Sequence, residues 1–310
     1  STVTIYKITA LLSNSSNAAI FAGLIYIFYP LTLWFNFTIV QETSFQAFFI
    51  FFIYFFLKGI KQSSSRDLVL SSLFFSASLL TKSHILICLP FIALLIYFRH
   101  SIKPVLIFLS IILICAIPHG LINKKLHGVF TISSHGNGSF FLLGHSENTY
   151  ECLLNRAGKM GEFSADGCDP GFVFDKGYNH AQYGLVNQKS VRERNRLKWI
   201  IALNWIKDHP GKYLDLKLYG LQRFIIPGLD TKQYKSKYAL LSIIIGLIIY
   251  IPAIWMFFRV FGSDKLMHAL LPVLYLTCAI IFIGFFPVNR FRVITLEPLL
   301  ICYAAMAIEP

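Results

Sequence analysis

A chain of 310 residues that is 55% hydrophobic, 16% aromatic and only 14% charged lies well below the roughly 25% charge of an ordinary soluble protein. With 30 Phe and a mean hydropathy of +0.61 it reads as an all-α polytopic membrane protein, and the lack of period-2 alternation argues against an outer-membrane barrel. The net charge of +13 sits beside apolar runs, so it points to topology and lipid headgroups and to no nucleic acid.

Ser1 is not a start Met and the chain stops at Ile308-Glu309-Pro310; the expectation is a fragment cut at both ends. Thr2–Leu12 reads as the tail of a span and Ser13–Asn17 as a polar turn. Ala18–Phe35 reads as one full span with Pro30 as a kink. Asn36–Thr43 is a short loop, Ser44–Leu57 a short aromatic span and Lys58–Asp67 a basic, Ser-rich loop. Leu68–Thr81 and Ile85–Phe98 are short spans joined by Lys82-Ser83-His84. The basic loop Arg99–Lys103 leads into the span Pro104–Ile122. After a polar insert come the span Tyr238–Phe258, the basic loop Arg259–Lys265, the span Leu266–Phe286, the loop Pro287–Pro298 and the start of a last span at Leu299–Ile308. Three of these spans have about 14 residues against the roughly 20 needed. Either they borrow flanking residues or their ends line a cavity near the outer surface.

The insert, Asn123–Lys237, holds 17 of the 28 Lys/Arg and 10 of the 15 Asp/Glu, so it cannot sit in hydrocarbon. Three regions follow: 1–122 membrane helices, 123–237 a mixed, loop-rich extracytoplasmic insert, and 238–310 membrane helices. Within the insert Phe130–Gly144 reads as loop or short strand and Glu147–Asn187 as loop. Ser190–His209 reads as a helix stopped by Asp208-His209-Pro210-Gly211, and Lys212–Ile226 as an amphipathic helix. Both helices suit a membrane surface or packing beneath the insert. Cys88, Cys115, Cys278 and Cys302 fall in spans as small apolar residues; Cys152 and Cys168 could pair if the insert faces an oxidising compartment.

Alternating the spans sorts the loops into two sets. Ser13–Asn17, Lys58–Asp67, Arg99–Lys103 and Arg259–Lys265, with adjoining span ends, carry eight Lys/Arg. Asn36–Thr43, Lys82–His84 and Pro287–Pro298 carry three. The positive-inside rule puts the first set in the cytoplasm; long domains are exempt, so the insert faces the other side. That side then gathers Glu42, Lys82, His84, Arg290, Arg292 and Glu297 near span ends. Charges at membrane depth face a cavity or each other. Cations suit a lipid-linked phosphate as substrate and leaving group, and a carboxylate suits deprotonation of an acceptor. The bland alternatives are a snorkelling Lys82, an interfacial His84, and headgroup contacts for Arg290 and Arg292. Nucleotide-binding glycine loops and zinc motifs are absent from the sequence.

The order of these motifs resembles the multi-pass membrane glycosyltransferases of the GT-C type, in the branch similar to protein O-mannosyltransferases and the lipid A aminoarabinose transferase. Tyr29-Pro30 leading to Gln41-Glu42, Leu79-Leu80-Thr81-Lys82 with Pro90, Phe140–His145 with the later IKDHPGKY, and Arg290-Phe291-Arg292 before Glu297-Pro298 carry the likeness. Gly144-His145 departs from the Gly-Asn of relatives. The resemblance implies transfer of a sugar with inversion from a polyprenyl-phosphate donor to a lipid, glycan or protein acceptor, in a bacterial inner membrane with the insert in the periplasm or exterior. Glu42 would stand near the acceptor or a divalent metal. Lys82, Arg290 and Arg292, with His84 and Glu297 beside them, would contact the donor. The main catalytic acid is expected upstream of Ser1, which would leave the fragment inactive alone. Two other classes stay open: a transporter of lipid-linked intermediates, which predicts repeats and mid-span charges, and an O-antigen polymerase or ligase, which would rely on Arg192, Arg194 and Arg196.

Overall fold

The computed structural model describes residues 1–37, 41–132, 137–151, 154, 190–228, 236–262, 264–284 and 289–308. Among them there is helix and no strand, and five helical stretches are long and apolar enough to cross a membrane: Gln41–Gln62, Ser83–His100, Ile102–His127, Lys237–Phe261 and Lys265–Gly284. The protein is an all-α polytopic membrane protein. It divides into two compact units, one of residues 1–119, 247–278 and 290–310, the other of residues 120–246 and 279–289.

In the first unit α1 (Thr2–Ser13) and α2 (Ser16–Phe28) are joined by a tight turn, with the Ser15 hydroxyl capping α2 at the Ala18 N–H. The single span expected over Ala18–Phe35 is instead two helices. Tyr29 is extended (φ −69, ψ 114) and α3 (Pro30–Phe37) starts anew. Proline disfavours helical backbone at the residue before it and is well placed to open a helix.

α4 (Gln41–Gln62) is the centre of this unit. The short aromatic span is lengthened at both ends by polar residues drawn into the helix. Phe45, Phe49, Phe52 and Phe56 recur at helical spacing and are fully buried. α5 (Ser65–Thr81) is capped by the Ser64 side chain at the Asp67 N–H. It turns Ser71, Ser72, Ser76 and Ser78 inward, and such small residues let membrane helices approach closely. Gly59 permits the tightest approach: a Cβ there would lie 2.9 Å from Leu68 Cδ2 and 3.2 Å from its backbone N. A 3-10 stretch (Ser83–Cys88) leads into α6 (Leu89–His100) and then α7 (Ile102–His127).

The second unit holds α8 (Asn137–Leu143), a helical turn α9 (Glu147–Tyr150), α10 (Val191–Asp208) and α11 (Pro210–Ile225). Phe130–Gly144, expected as loop or strand, contains α8. Phe141 stacks on Trp199 of α10 at 3.9 Å, and the Gly138 N–H donates to Asn195 Oδ1 at 2.8 Å. That long-range packing favours helix over the Gly/Ser composition. Ser190 caps α10 at the Glu193 N–H, and Leu143, Trp205, Leu216 and Tyr219 form the unit's core. α12 (Ser236–Phe261) follows, then α13 (Lys265–His268), α14 (Leu270–Gly284), α15 (Asn289–Thr295) and α16 (Glu297–Ile308). The loop expected over Pro287–Pro298 is thus largely helical. The Leu296 N–H donates to Arg292 O at 2.8 Å, and Pro298 sits in the first turn of α16, where its missing N–H costs nothing.

Candidate active site

Because α4 and α5 form an antiparallel hairpin, the start of one meets the end of the other. Glu42 lies in the first turn of α4, where the helix dipole favours a carboxylate. Lys82 follows α5 in extended conformation (φ −145, ψ 111). Its Nζ donates to Glu42 Oε1 at 2.8 Å, and the two side chains are 13% and 6% exposed. The hairpin's other end carries a second pair, Lys58–Asp67 at 3.1 Å, with Lys58 30% exposed. The Glu42–Lys82 pair is the better desolvated of the two and the one whose charges act at longer reach.

His84 is the second residue of the 3-10 stretch. Its ring packs on Phe45, one turn along α4 from Glu42, at 4.9 Å. Its Nε2 lies 3.3 Å from Thr295 Oγ1 at the end of α15. The same short element supplies Arg292, which is fully buried. Arg292 Nε donates to Glu297 Oε1 at 3.2 Å, and the Tyr250 hydroxyl donates to the same oxygen at 3.2 Å. The guanidinium lies over the Tyr250 ring, 5.6 Å from its centroid, and Tyr29, 3% exposed, is a close electrostatic neighbour of the carboxylate. Despite that neighbour, Glu297 Oε2 has no hydrogen bond of normal geometry among the described residues. Arg290 belongs to α15, and its side chain lies outside the described residues.

The first unit therefore links Glu42, Lys82 and His84 through Thr295 to the Arg292–Glu297 pair. The cationic loops lie at its other end: Lys61 donates to Leu11 O and Asn14 Oδ1, and Arg99 Nε donates to Ile60 O at 3.2 Å. Thr295, Tyr29 and Tyr250 were not singled out by their residue type as site residues. Tyr29 stands beside Pro30 in the Tyr29-Pro30 motif, whereas Tyr250 lies within an apolar run that gives it no distinguishing sequence context.

In the second unit the departing residue His145 is buried. Its Nδ1 lies 2.7 Å from Phe141 O and its Nε2 2.5 Å from Lys217 Nζ. This geometry fits a neutral ring that donates from Nδ1 and accepts at Nε2. Burial first, then the Lys217 charge, pushes its pKa down to about 4; burial pushes Lys217 down to about 8. Nearby, Glu147 accepts from Lys212 and from Trp205 Nε1. Desolvation raises the Glu147 pKa, but these bonds outweigh it and the net shift is downward. Cys152 and Cys168 lie outside the described residues. Among the described residues no three His, Cys, Asp or Glu side chains cluster with metal-ligand geometry.

No curated protein and no solved structure matches the chain. Residues 1–122, which include Glu42, Lys82 and His84, match the family model described as dolichyl-phosphate-mannose-protein mannosyltransferase, and over that stretch the chain is similar to membrane glycosyltransferases of that type.

Proposed function

We propose that the protein takes a sugar from a polyprenyl-phosphate donor and passes it, with inversion, to a lipid, glycan or protein acceptor on the non-cytoplasmic face of a bacterial inner membrane. The observation that carries this reading is the desolvated Glu42–Lys82 pair, placed at one end of the helical unit within the stretch that matches the mannosyltransferase family. In this reaction the acceptor oxygen attacks the anomeric carbon as the bond from that carbon to the phosphate oxygen breaks. The electron pair leaves with the polyprenyl phosphate, and the acceptor proton passes to a carboxylate. Lys82 meets the charge that grows on the departing phosphate. Glu42 aims the ammonium and stands beside the acceptor. His84 and Arg290 add contacts to the donor. Arg292 and Glu297, ion-paired to each other and buried, support the site by holding α15 against α12 and α16. Residues 123–237 form the extracytoplasmic insert, where Cys152 and Cys168 would meet an oxidising environment.

The test uses membranes containing the full-length protein and a labelled polyprenyl-phosphate sugar. Release of polyprenyl phosphate should fall on the order of 100-fold in Lys82→Met, with partial retention in Lys82→Arg. Full turnover in both Lys82→Met and Glu42→Gln would overturn the reading. Activity in those variants combined with loss in Arg194→Ala would move the protein to the polymerase or ligase class.

A further inference from the structure

α11 buries one side, which includes Arg223, and exposes an aliphatic stripe on the other. Leu216, Tyr219, Gly220 and Phe224 face inward and are buried. Leu214, Leu218, Leu221 and Ile225 recur at spacings of four, three and four, which draws one stripe along the helix opposite the buried face. They are 56%, 54%, 38% and 56% exposed. A stripe of four large aliphatics in water is an exposed patch that calls for an occupant.

The end of α11 shows which occupant. Gly228 has φ +92, and a Cβ there would lie 2.6 Å from Ile243 N. A Cβ on Gly246 would lie 2.5 Å from Pro227 Cβ. The chain leaving α11 is thus pressed against Ser242–Gly246 of α12, within the stretch Lys237–Phe261 that is apolar enough to cross a membrane. At 1.5 Å per residue this contact lies about 8–14 Å along the span from Lys237. On the other flank, Phe224 packs at 5.5 Å on Phe282, in the last turn of α14. The C-terminal end of α11 is therefore tied to two membrane-crossing helices near their ends, at the depth where an interfacial helix buries its apolar face, about 5–10 Å into the headgroup and acyl boundary. Leu240, Leu241 and Ile244 of α12 are similarly exposed at that level.

We propose that α11 is embedded in the lipid interface, with Leu214, Leu218, Leu221 and Ile225 against acyl chains and its C-terminal end deepest. Asp215 and Gln222, one turn-quarter round the helix, then lie at its waterward edge. This docking does not depend on the catalytic reading.

Single tryptophans report it in the full chain, reconstituted in phosphatidylcholine liposomes with or without bromine on the acyl chains. Each variant's emission is read as its excess over the parent protein. The excess from Leu218→Trp and Ile225→Trp should be quenched by the brominated lipid, more at 225, and spared by aqueous iodide. The excess from Gln222→Trp should show the weaker lipid and stronger iodide response. Iodide quenching without lipid quenching at 218 and 225 overturns the proposal in favour of a water-facing stripe. Quenching by neither overturns it in favour of cover by another part of the chain or a second copy.

Discussion

His145 and Lys217 lie in contact, and only one of the two can carry charge comfortably. The ring accepts from the ammonium, so protonating it would remove an acceptor and bury a second positive charge. Its folded pKa of about 4 lies below the ordinary value of 6.5. Between those values the unfolded chain binds more protons than the folded one, so stability falls as pH drops from about 6.5 towards 4 and is fully present above. The full linkage is worth about 3 kcal/mol. Hydrogen exchange of α8 and α11 across this window should show protection collapsing with acid. Lys217→Met removes the second cause of the shift and should move that collapse to a shallower loss. A pH-independent exchange rate in the parent protein would sink this account. Lys217 titrates with the same sign at higher pH: its folded value of about 8 lies below 10.5, so its contribution grows as pH rises between them.

Among the elements, α15 and α16 depend most on one contact. Arg292 and Glu297 are 0% and 1% exposed in their side chains, and the Tyr250 hydroxyl ties α12 to the same carboxylate oxygen. Removing one partner strands a charge in a dry environment, which costs about 3–5 kcal/mol, whereas replacing both with neutral groups of similar volume is often nearly neutral. Arg292→Ala should therefore lower the unfolding temperature in detergent sharply, and Arg292→Met combined with Glu297→Gln should recover most of it. Equal losses in the two proteins would mean that the pair is not coupled.

The same elements show what the sequence could and could not convey. α10 and α11 were legible from local chemistry, a Ser190 cap with Glu193 three residues on and a stop at Asp208–Gly211, because caps and breakers act within a turn. The grouping of Glu42, Lys82 and His84 followed from counting spans. α8 and α15 escape a local reading because distant partners pack on them, Trp199 on one and the Tyr250 ring on Arg292 of the other. The burial of Arg292 was hidden for the same reason: an arginine in a short polar stretch looks like a ligand contact until the helix that covers it is in place.

For the molecule as a whole, the deciding quantity is which end of the first unit faces the cytoplasm. One end gathers Lys58, Lys61 and Arg99 around the turns after α1 and α4; the other holds the paired Glu42 and Lys82. Lys and Arg near short loops are retained on the cytoplasmic side whether or not a carboxylate lies beside them, and the first end carries more of them. The end with Lys58 should therefore be cytoplasmic. Ser63 and Ser83 flank α5, whose 17 residues separate them by about 25 Å. A cysteine at Ser63 should react with a membrane-impermeant maleimide only in inverted vesicles, and one at Ser83 only from the outer face of intact cells. Labelling of both from the same face would contradict a membrane-crossing α5, and the reverse pattern would place the Glu42–Lys82 pair in the cytoplasm, where the proposed transfer to an extracytoplasmic acceptor could not occur.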